Sequence, residues 1–426
     1  MADLLGMRGT GSWTNEERPK NFREGYLFLY PNGDMPLTGM TSKLSSEKVD
    51  DPEFKYYSKN LQAQGGAFTA TEVYNHSDLA SGNKVTGTAA SGTVYYVKVT
   101  AAVVKHFRAG HTVLLLASTN DAQYTFGKVT GRSANGNSSW VSLVALATGT
   151  GSLEAYNYID IVGNANAEGD VSKDPISYAA DKYTNYTQIF RTSLDITRTQ
   201  LNTKMRIGDV YKTAREEAFL YHGIEMEMAF MRGMKTENDG DNGQKERTTQ
   251  GFLPFLVENN SSNILNYTTG TSLNWLQGGE DWIDDSLEVL FRKGSSQRIG
   301  FCGSGAMLGI MKLVKHIGQF SLTVDTIAYG IKVMRWVTPL GEIMLKRHPL
   351  FTHKTYSTNS IALFDPANVK YRFITDTTFF PDPRAKEGGY NKIDGIKEEY
   401  LTECGIEWHF PETMMYLQGV GTNGTA

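Results

Sequence analysis

The run GDVYKTAREEAFLYHGIEMEMAFMRG, residues Gly208–Gly233, carries four glutamates and a histidine in a helix-shaped pattern. Either it gathers a metal or acid–base site, or it is a beam around which the rest of the chain is organised. Ile207, Val210, Tyr211, Ala214, Ala218, Tyr221, Ile224, Met228 and Met231 advance in threes and fours, which draws one apolar stripe along a helix of about 25 residues and roughly 37 Å. A helical metal pair needs ligands three or four apart on the buried side. Glu217 to His222 is a step of five, and His222 to Glu225 alone has a suitable spacing. The stretch therefore reads as a beam. Glu216, Glu217, Glu225 and Glu227, with Lys212 and Arg215, are expected on a face turned to solvent or to neighbouring subunits.

Upstream of the beam, residues 1–34 are polar and punctuated by Gly and Pro, which predicts an extended arm ordered only by lying across something else. Residues 35–61 alternate apolar and polar positions up to the break at Asp51-Pro52. Between about residues 65 and 170 the pattern becomes strands and turns, among them Thr93–Val99, Thr112–Leu116, Gly127–Thr130 and Ser139–Val144 after the Asn135-Gly136 turn. About five such strands predict a small β-barrel or sandwich. Alternation returns over Thr184–Thr203, so the β-rich part is expected to be an insertion in a longer excursion.

Downstream, KTENDGDNGQKERTTQ reads as a mobile loop. Trp282–Arg292 has helical spacing, with Asp284 and Asp285 expected in its first turn. Arg298–Cys302 reads as a strand, Ser304 as a cap and Ala306–His316 as a helix. Ile331–Val337 and Glu342–Arg347 flank a hairpin turn. Without a βαβ rhythm, the fold class is α+β.

The chain has 426 residues, a net charge of −4 and a pI near 6.1. It offers no bulk cationic field for wrapping nucleic acid, so any DNA contact would be weak and local. Two cysteines, Cys302 and Cys404, form no disulfide framework and point to a reducing compartment. No run reaches the ~18 apolar residues that span a bilayer, and no membrane association is expected.

Candidate chemistry is sparse. In NDGDNGQKE, Gly243 and Gln244 fall where a calcium loop needs a ligand and a glycine. Ser304 lacks glycines at 302 and 306, and Gly303 and Gly305 lack the third glycine of a dinucleotide fingerprint. A hydrolase using Cys302 or Ser304 is the alternative from another class. Trp140, Tyr156 and Tyr158 raise an accessory carbohydrate-binding role for the inserted part. No catalytic, cofactor-binding or metal residue is assigned.

A long chain with an arm, an excursion, a beam and little chemistry suits a homo-oligomeric building block. In order, PLTGMTSKLSSEKVDDPEF, HFRAGHTVLLL, IVGNANAEGD, YTQIFRTSLDITRTQ, the Gly208–Gly233 run, RTTQGFLPFL, IKVMRWVTPLGEIMLKRHPLF, IALFDPANVKYRF and KEEYLTECGIEWHFPETMMYLQGV resemble segments of tailed-bacteriophage major capsid proteins, including members with a β-rich insertion. The resemblance implies an icosahedral shell of hexamers and pentamers around double-stranded DNA. It implies an N-terminal arm (1–34), an extended loop (35–201) holding the insertion (65–170), a peripheral domain (202–279) with spine helix 208–233, an axial domain (280–390) and a return to the peripheral domain (391–426). Portal, scaffolding and possibly decoration proteins are the implied partners. The short segment before the loop leads to the expectation of a separate scaffolding protein. The virion is the implied location, after assembly in the host cytoplasm. The expected intersubunit contacts are Lys212, Arg215, Glu216, Glu225 and Glu227. The second implied reading is an encapsulin-like nanocompartment shell, against which the long insertion argues.

Overall fold

The computed structural model describes residues 36–41, 45–59, 64–117, 119–169, 171, 175–203, 209–317, 322–328, 331–382 and 394–425. The expected arm, 1–34, lies outside them. Two units divide the chain: 1–58 with 182–426, and 59–181.

The larger unit begins with helix α1 (Pro36–Thr41) and strands β1 (Ser46–Lys48) and β2 (Glu53–Ser58). The smaller unit follows, with β3 (Gly65–Ala67), β4 (Val73–Tyr74), β5 (Val94–Lys98), helix α2 (Ala101–Val104), β6 (His111–Ala117), β7 (Asn120–Ser133), β8 (Trp140–Ala145) and β9 (Tyr158–Asn164). These strands form one antiparallel sheet in the order β3-β9-β6-β7-β8-β5-β4. Their alternation places Val97, Val113, Leu115, Val129, Val141 and Leu143 in a core closed by Phe107 and Tyr156. About five strands were expected; the unit has seven, in one sheet rather than the two of a sandwich, and its end strands β3 and β4 have three and two residues. Strands so short leave no period for a sequence pattern to show.

The chain resumes with β10 (Asp181–Tyr186), β11 (Gln188–Thr197), α3 (Arg198–Asn202) and the long helix α4 (Val210–Arg232). A hairpin of β12 (Thr236–Asp239) and β13 (Lys245–Thr248) follows where a mobile loop was expected. It is ordered by cross-strand pairs that sequence reading passed over: Glu237 with Arg247 at 2.8 Å and Asp239 with Lys245 at 2.7 Å.

Helix α5 (Phe252–Asn259), β14 (Ile264–Asn266), α6 (Tyr267–Gly270) and α7 (Trp275–Phe291) come next. Helix α7 starts seven residues before the expected Trp282, so Asp284 and Asp285 are not in its first turn. The Gly278-Gly279 pair looks like a break but is buried, with the Trp275 ring packed where a Gly279 Cβ would stand. The remaining elements are β15 (Gln297–Cys302), α8 (Ser304–Ile317), β16 (Leu322–Ala328), β17 (Ile331–Val337), β18 (Glu342–Arg347), α9 (Pro349–His353), β19 (Ile361–Phe364), β20 (Val369–Phe380), β21 (Gly395–Trp408) and β22 (Met415–Gln418).

Two sheets organise the larger unit. One has the order β1-β20-β21-β11 and carries α4. The other, β14-β22-β19-β15-β18-β17-β16, is covered by α7 and α8 through Trp275, Ile283, Leu287, Ile310 and Leu313. These sheets divide the chain differently from the expected 280–390 axial segment. Strand β20 belongs with the helix-bearing sheet, and the C-terminal β22 sits inside the other. The segment 36–58, expected in the extended loop, joins the larger unit: Leu37 and Met40 are fully buried in its core and β1 pairs with β20.

Candidate assembly surface along the long helix

Helix α4 starts where Asp209 accepts the Tyr211 N–H at 3.0 Å and stops at Gly233. A Cβ on Gly233 or Gly251 would come within 2.6 Å of the Ala229 carbonyl oxygen, so glycine at both positions lets the chain turn back tightly into α5. At 23 residues the helix is about 34 Å long.

Its buried face is Ala218, His222, Gly223, Met226, Glu227, Phe230 and Met231. This is rotated from the expected stripe, on which Tyr221 stood; Tyr221 is 57% exposed. The helix packs on β11 and β21. His222 is held there by two hydroxyls, Thr192 Oγ1 at 3.0 Å from Nδ1 and Thr402 Oγ1 at 2.7 Å from Nε2. Burial pushes its imidazole below the ordinary 6.5.

A pH prediction follows from that burial. Below 6.5 the unfolded chain takes up a proton that folded His222 refuses, so stability falls with pH by up to about 1.4 kcal/mol per unit from this group. Urea unfolding followed by tryptophan fluorescence at pH 7.5 and 5.5 is expected to show a smaller loss for His222→Gln than for the natural chain.

Glu227 corrects the sequence reading most sharply. Expected on the outer face, it is fully buried. Its Oε1 accepts the Leu37 N–H and His348 Nε2–H, both at 2.8 Å, and its Oε2 accepts the Thr38 N–H at 2.7 Å and Thr38 Oγ1–H at 2.6 Å. Arg215 is also engaged within the chain, stacked 3.8 Å over the Phe379 ring and donating to the Tyr400 hydroxyl at 3.2 Å. Lys212, Glu216 and Glu225 are exposed, and between them stand Phe219, 50% exposed, and Tyr221. The open side of the helix is thus a mixed strip of charge and aromatic surface. An aromatic pair two residues apart on a helix cannot share one buried stripe, which is the signal that could have marked it.

Other exposed apolar side chains lie on α7 and α8, where Leu276 and Leu308 face outward, and on β11 at Ile189. Ile189 borders an open groove of about 540 Å³ lined also by Lys245, Arg247 and Glu403.

The candidate nucleophiles sit in structural roles. Cys302 is fully buried, donates to the Lys346 carbonyl at 3.4 Å, and burial pushes its thiol up to about 12. Ser304 opens α8, whose Ala306 N–H is taken by the Thr358 carbonyl; a Cβ on Gly303 would collide with that same oxygen. The loop Ser357–Ser360 therefore fills the place an oxyanion would need. Ser58, His409 and Glu407 have the residue types of a hydrolase triad, at 3.0 and 3.1 Å. Ser58 is only 2% exposed, however, and Glu407 already accepts from Arg372 at 2.6 Å. Burial pushes the Glu407 carboxyl up, yet the hydrogen bonds from His409 and Arg372 outweigh it and leave it below its ordinary value. The group pins β2, β20 and β21 together.

In the smaller unit, Tyr156 is fully buried and its hydroxyl takes the Gly151 N–H at 3.1 Å, while Trp140 packs edge-on to Tyr96 at 5.1 Å. Tyr156 therefore belongs to the core, whereas Trp140, Tyr96 and Tyr158 are half-buried. Glu72 ties that unit's edge, accepting from Tyr74 at 2.8 Å, Lys84 at 2.9 Å and Lys98 at 3.1 Å. Partial burial pushes the Glu72 carboxyl up, but those three hydrogen bonds outweigh it and bring it from 4.5 down to about 2. Its stabilisation is complete above 4.5 and is lost as pH falls toward 2. Solvent screening at this partly exposed site reduces the shift to about 1–2 kcal/mol. Glu72→Gln is expected to cost that much at pH 7 in thermal melts, with the difference from the natural chain closing by pH 2.

Cys302 and Ser58 are thus buried within the packing, and exposed apolar side chains stand on α4, α7, α8 and β11. The chain belongs to the SU10 major capsid protein family, which it matches over residues 13–421. It is accordingly a phage capsid subunit, a component of the virion, with an α+β fold and an inserted β unit. The major capsid protein of Pseudomonas phage PaMx41 is 23% identical over 405 residues, covering 94% of this chain and 89% of that one. Among solved structures, the capsid of a native GTA particle aligns over 97% of this chain and 99% of its own, at 10% identity and a TM-score of 0.44. The holo-SrpI encapsulin from Synechococcus elongatus PCC 7942 aligns over 58% and 78%, at 10% identity and a TM-score of 0.39. Those two likenesses do not separate a viral shell from a cellular compartment; the family does.

Proposed function

We propose that this chain assembles as hexamers and pentamers into a closed icosahedral shell around double-stranded DNA, in the host cytoplasm and without enzymatic activity. The match to a major capsid protein family across residues 13–421 carries this reading. A scaffolding protein and a portal are its partners, with decoration proteins as a further class, and the packaged DNA meets a surface with no bulk cationic field. Ring interfaces between identical copies join unlike patches. The outer strip of α4, with Lys212, Glu216 and Glu225 beside Phe219 and Tyr221, is suited to one side of such a contact. In this reading the extended loop and the peripheral and axial domains keep the roles that the resemblance implies, with their limits adjusted to the two sheets.

Negative-stain microscopy of the chain co-expressed with its scaffolding protein is expected to show closed, symmetric particles. A chain that stays monomeric at high concentration with that protein present would overturn the reading. Glu225→Lys is expected to reduce the yield of closed particles while leaving unfolding stability within about 0.5 kcal/mol, as for an exposed site.

A further inference from the structure

We propose that Pro36–Thr41 is a strap that docks on the long helix and opens as a unit, with Glu227 as its latch. Polar ties from the strap converge on one carboxylate. Leu37 N–H, Thr38 N–H and Thr38 Oγ1–H all donate to Glu227, at 2.8, 2.7 and 2.6 Å. The carboxylate is fixed from behind by His348 Nε2 at 2.8 Å, and since its oxygens already accept from the strap, that nitrogen carries the hydrogen. The His348 ring is itself held between Phe301 and Phe351, with centroids at 5.5 and 4.8 Å, and its backbone N–H donates to the Cys302 carbonyl at 2.8 Å. The acceptor is thus preorganised by parts of the fold that do not include the strap.

The strap is one-sided. Leu37 and Met40 are fully buried against the core, whereas Gly39 is exposed and a Cβ there would meet nothing within 4 Å. Short, solvent-backed elements are the ones that open locally ahead of global unfolding. Opening the strap would free Pro36–Thr41 from the long helix without unfolding α4 or its sheet. A buried carboxylate suits this role better than an apolar contact, since it accepts three bonds from the strap in one directional geometry.

The test is amide hydrogen exchange on the full-length chain before assembly, comparing the natural protein with Glu227→Gln and Thr38→Val. A glutamine keeps the shape but turns an N–H₂ group toward donors whichever way it is flipped. Exchange at Leu37 and Thr38 is expected to accelerate at least about tenfold in Glu227→Gln and by a few-fold in Thr38→Val, with amides from Gly223 to Phe230 unchanged. Unchanged exchange at Leu37 and Thr38 in both variants would overturn the proposal. So would loss of protection throughout α4 and its sheet in Thr38→Val, which touches only the strap's own hydroxyl. If Glu227→Gln does not fold, Thr38→Val alone decides between these outcomes.

Discussion

Arg298→Leu is expected to destabilise the larger unit by about 3–5 kcal/mol, the cost of breaking a buried charge network from one side. Arg298 is fully buried at the start of β15. Its guanidinium donates to the carbonyls of Lys293 at 2.7 Å, Ser295 at 2.7 Å and Gln297 at 2.9 Å, and reaches Leu290 O at 3.4 Å. Two of these carbonyls lie at the C-terminal end of α7, where a cation also meets the negative end of the helix dipole. Asp365, 3.4 Å from Nη1, supplies the countercharge and is itself 4% exposed. Leucine would match the volume of the stem but leave four carbonyls without this donor and Asp365 without its cation. Urea unfolding followed by tryptophan fluorescence checks this, since Trp275, Trp282, Trp336 and Trp408 all lie in the larger unit. A midpoint shift equivalent to less than about 1 kcal/mol would show that water replaces the lost donors.

Trp408→Ala should cost a similar amount, about 3–5 kcal/mol, for a different reason. Trp408 closes β21 and is fully buried, with the rings of Phe252 and Phe364 each 5.5 Å away. Removing it opens a cavity where helix α5 meets both sheets. The more discriminating variant is Trp408→Phe. The indole Nε1 is buried without an acceptor among the described residues, so phenylalanine loses volume but also removes an unpaired donor. The two effects oppose, and Trp408→Phe is expected to lose less than half as much as Trp408→Ala in the same unfolding experiment. Equal losses would mean that the N–H contributes nothing unfavourable.

The elements themselves were largely legible. The long helix was expected at 208–233 and is found at Val210–Arg232, because a capping aspartate, a steady apolar period and a terminal glycine are all local signals. The strands Gln297–Cys302, Ile331–Val337 and Glu342–Arg347 were visible for the same reason. Sequence reading failed where contacts between particular side chains, rather than the pattern along the chain, accompany the element. The hairpin at 236–248 is held by cross-strand ion pairs, and the early start of α7 depends on a tryptophan packing over its own glycines. The outer side of the helix was half legible: Lys212, Glu216 and Glu225 are exposed as expected, but Arg215 is spent on Phe379 and Tyr400.

By itself the sequence determined the α+β class, the inserted β-rich stretch, the long helix and the absence of any well-spaced catalytic motif. Each of these is written in contiguous periodicity, caps and turns. Only the tertiary structure decided which side of the long helix faces inward. Glu227 is buried because its donors come from residue 37, 190 positions away, and from residue 348, 121 positions away. His222 is buried because Thr402, 180 positions on, meets its ring. A carboxylate read along the chain is a charge that belongs in water, and it becomes a core residue only when folding brings enough donors to replace that water.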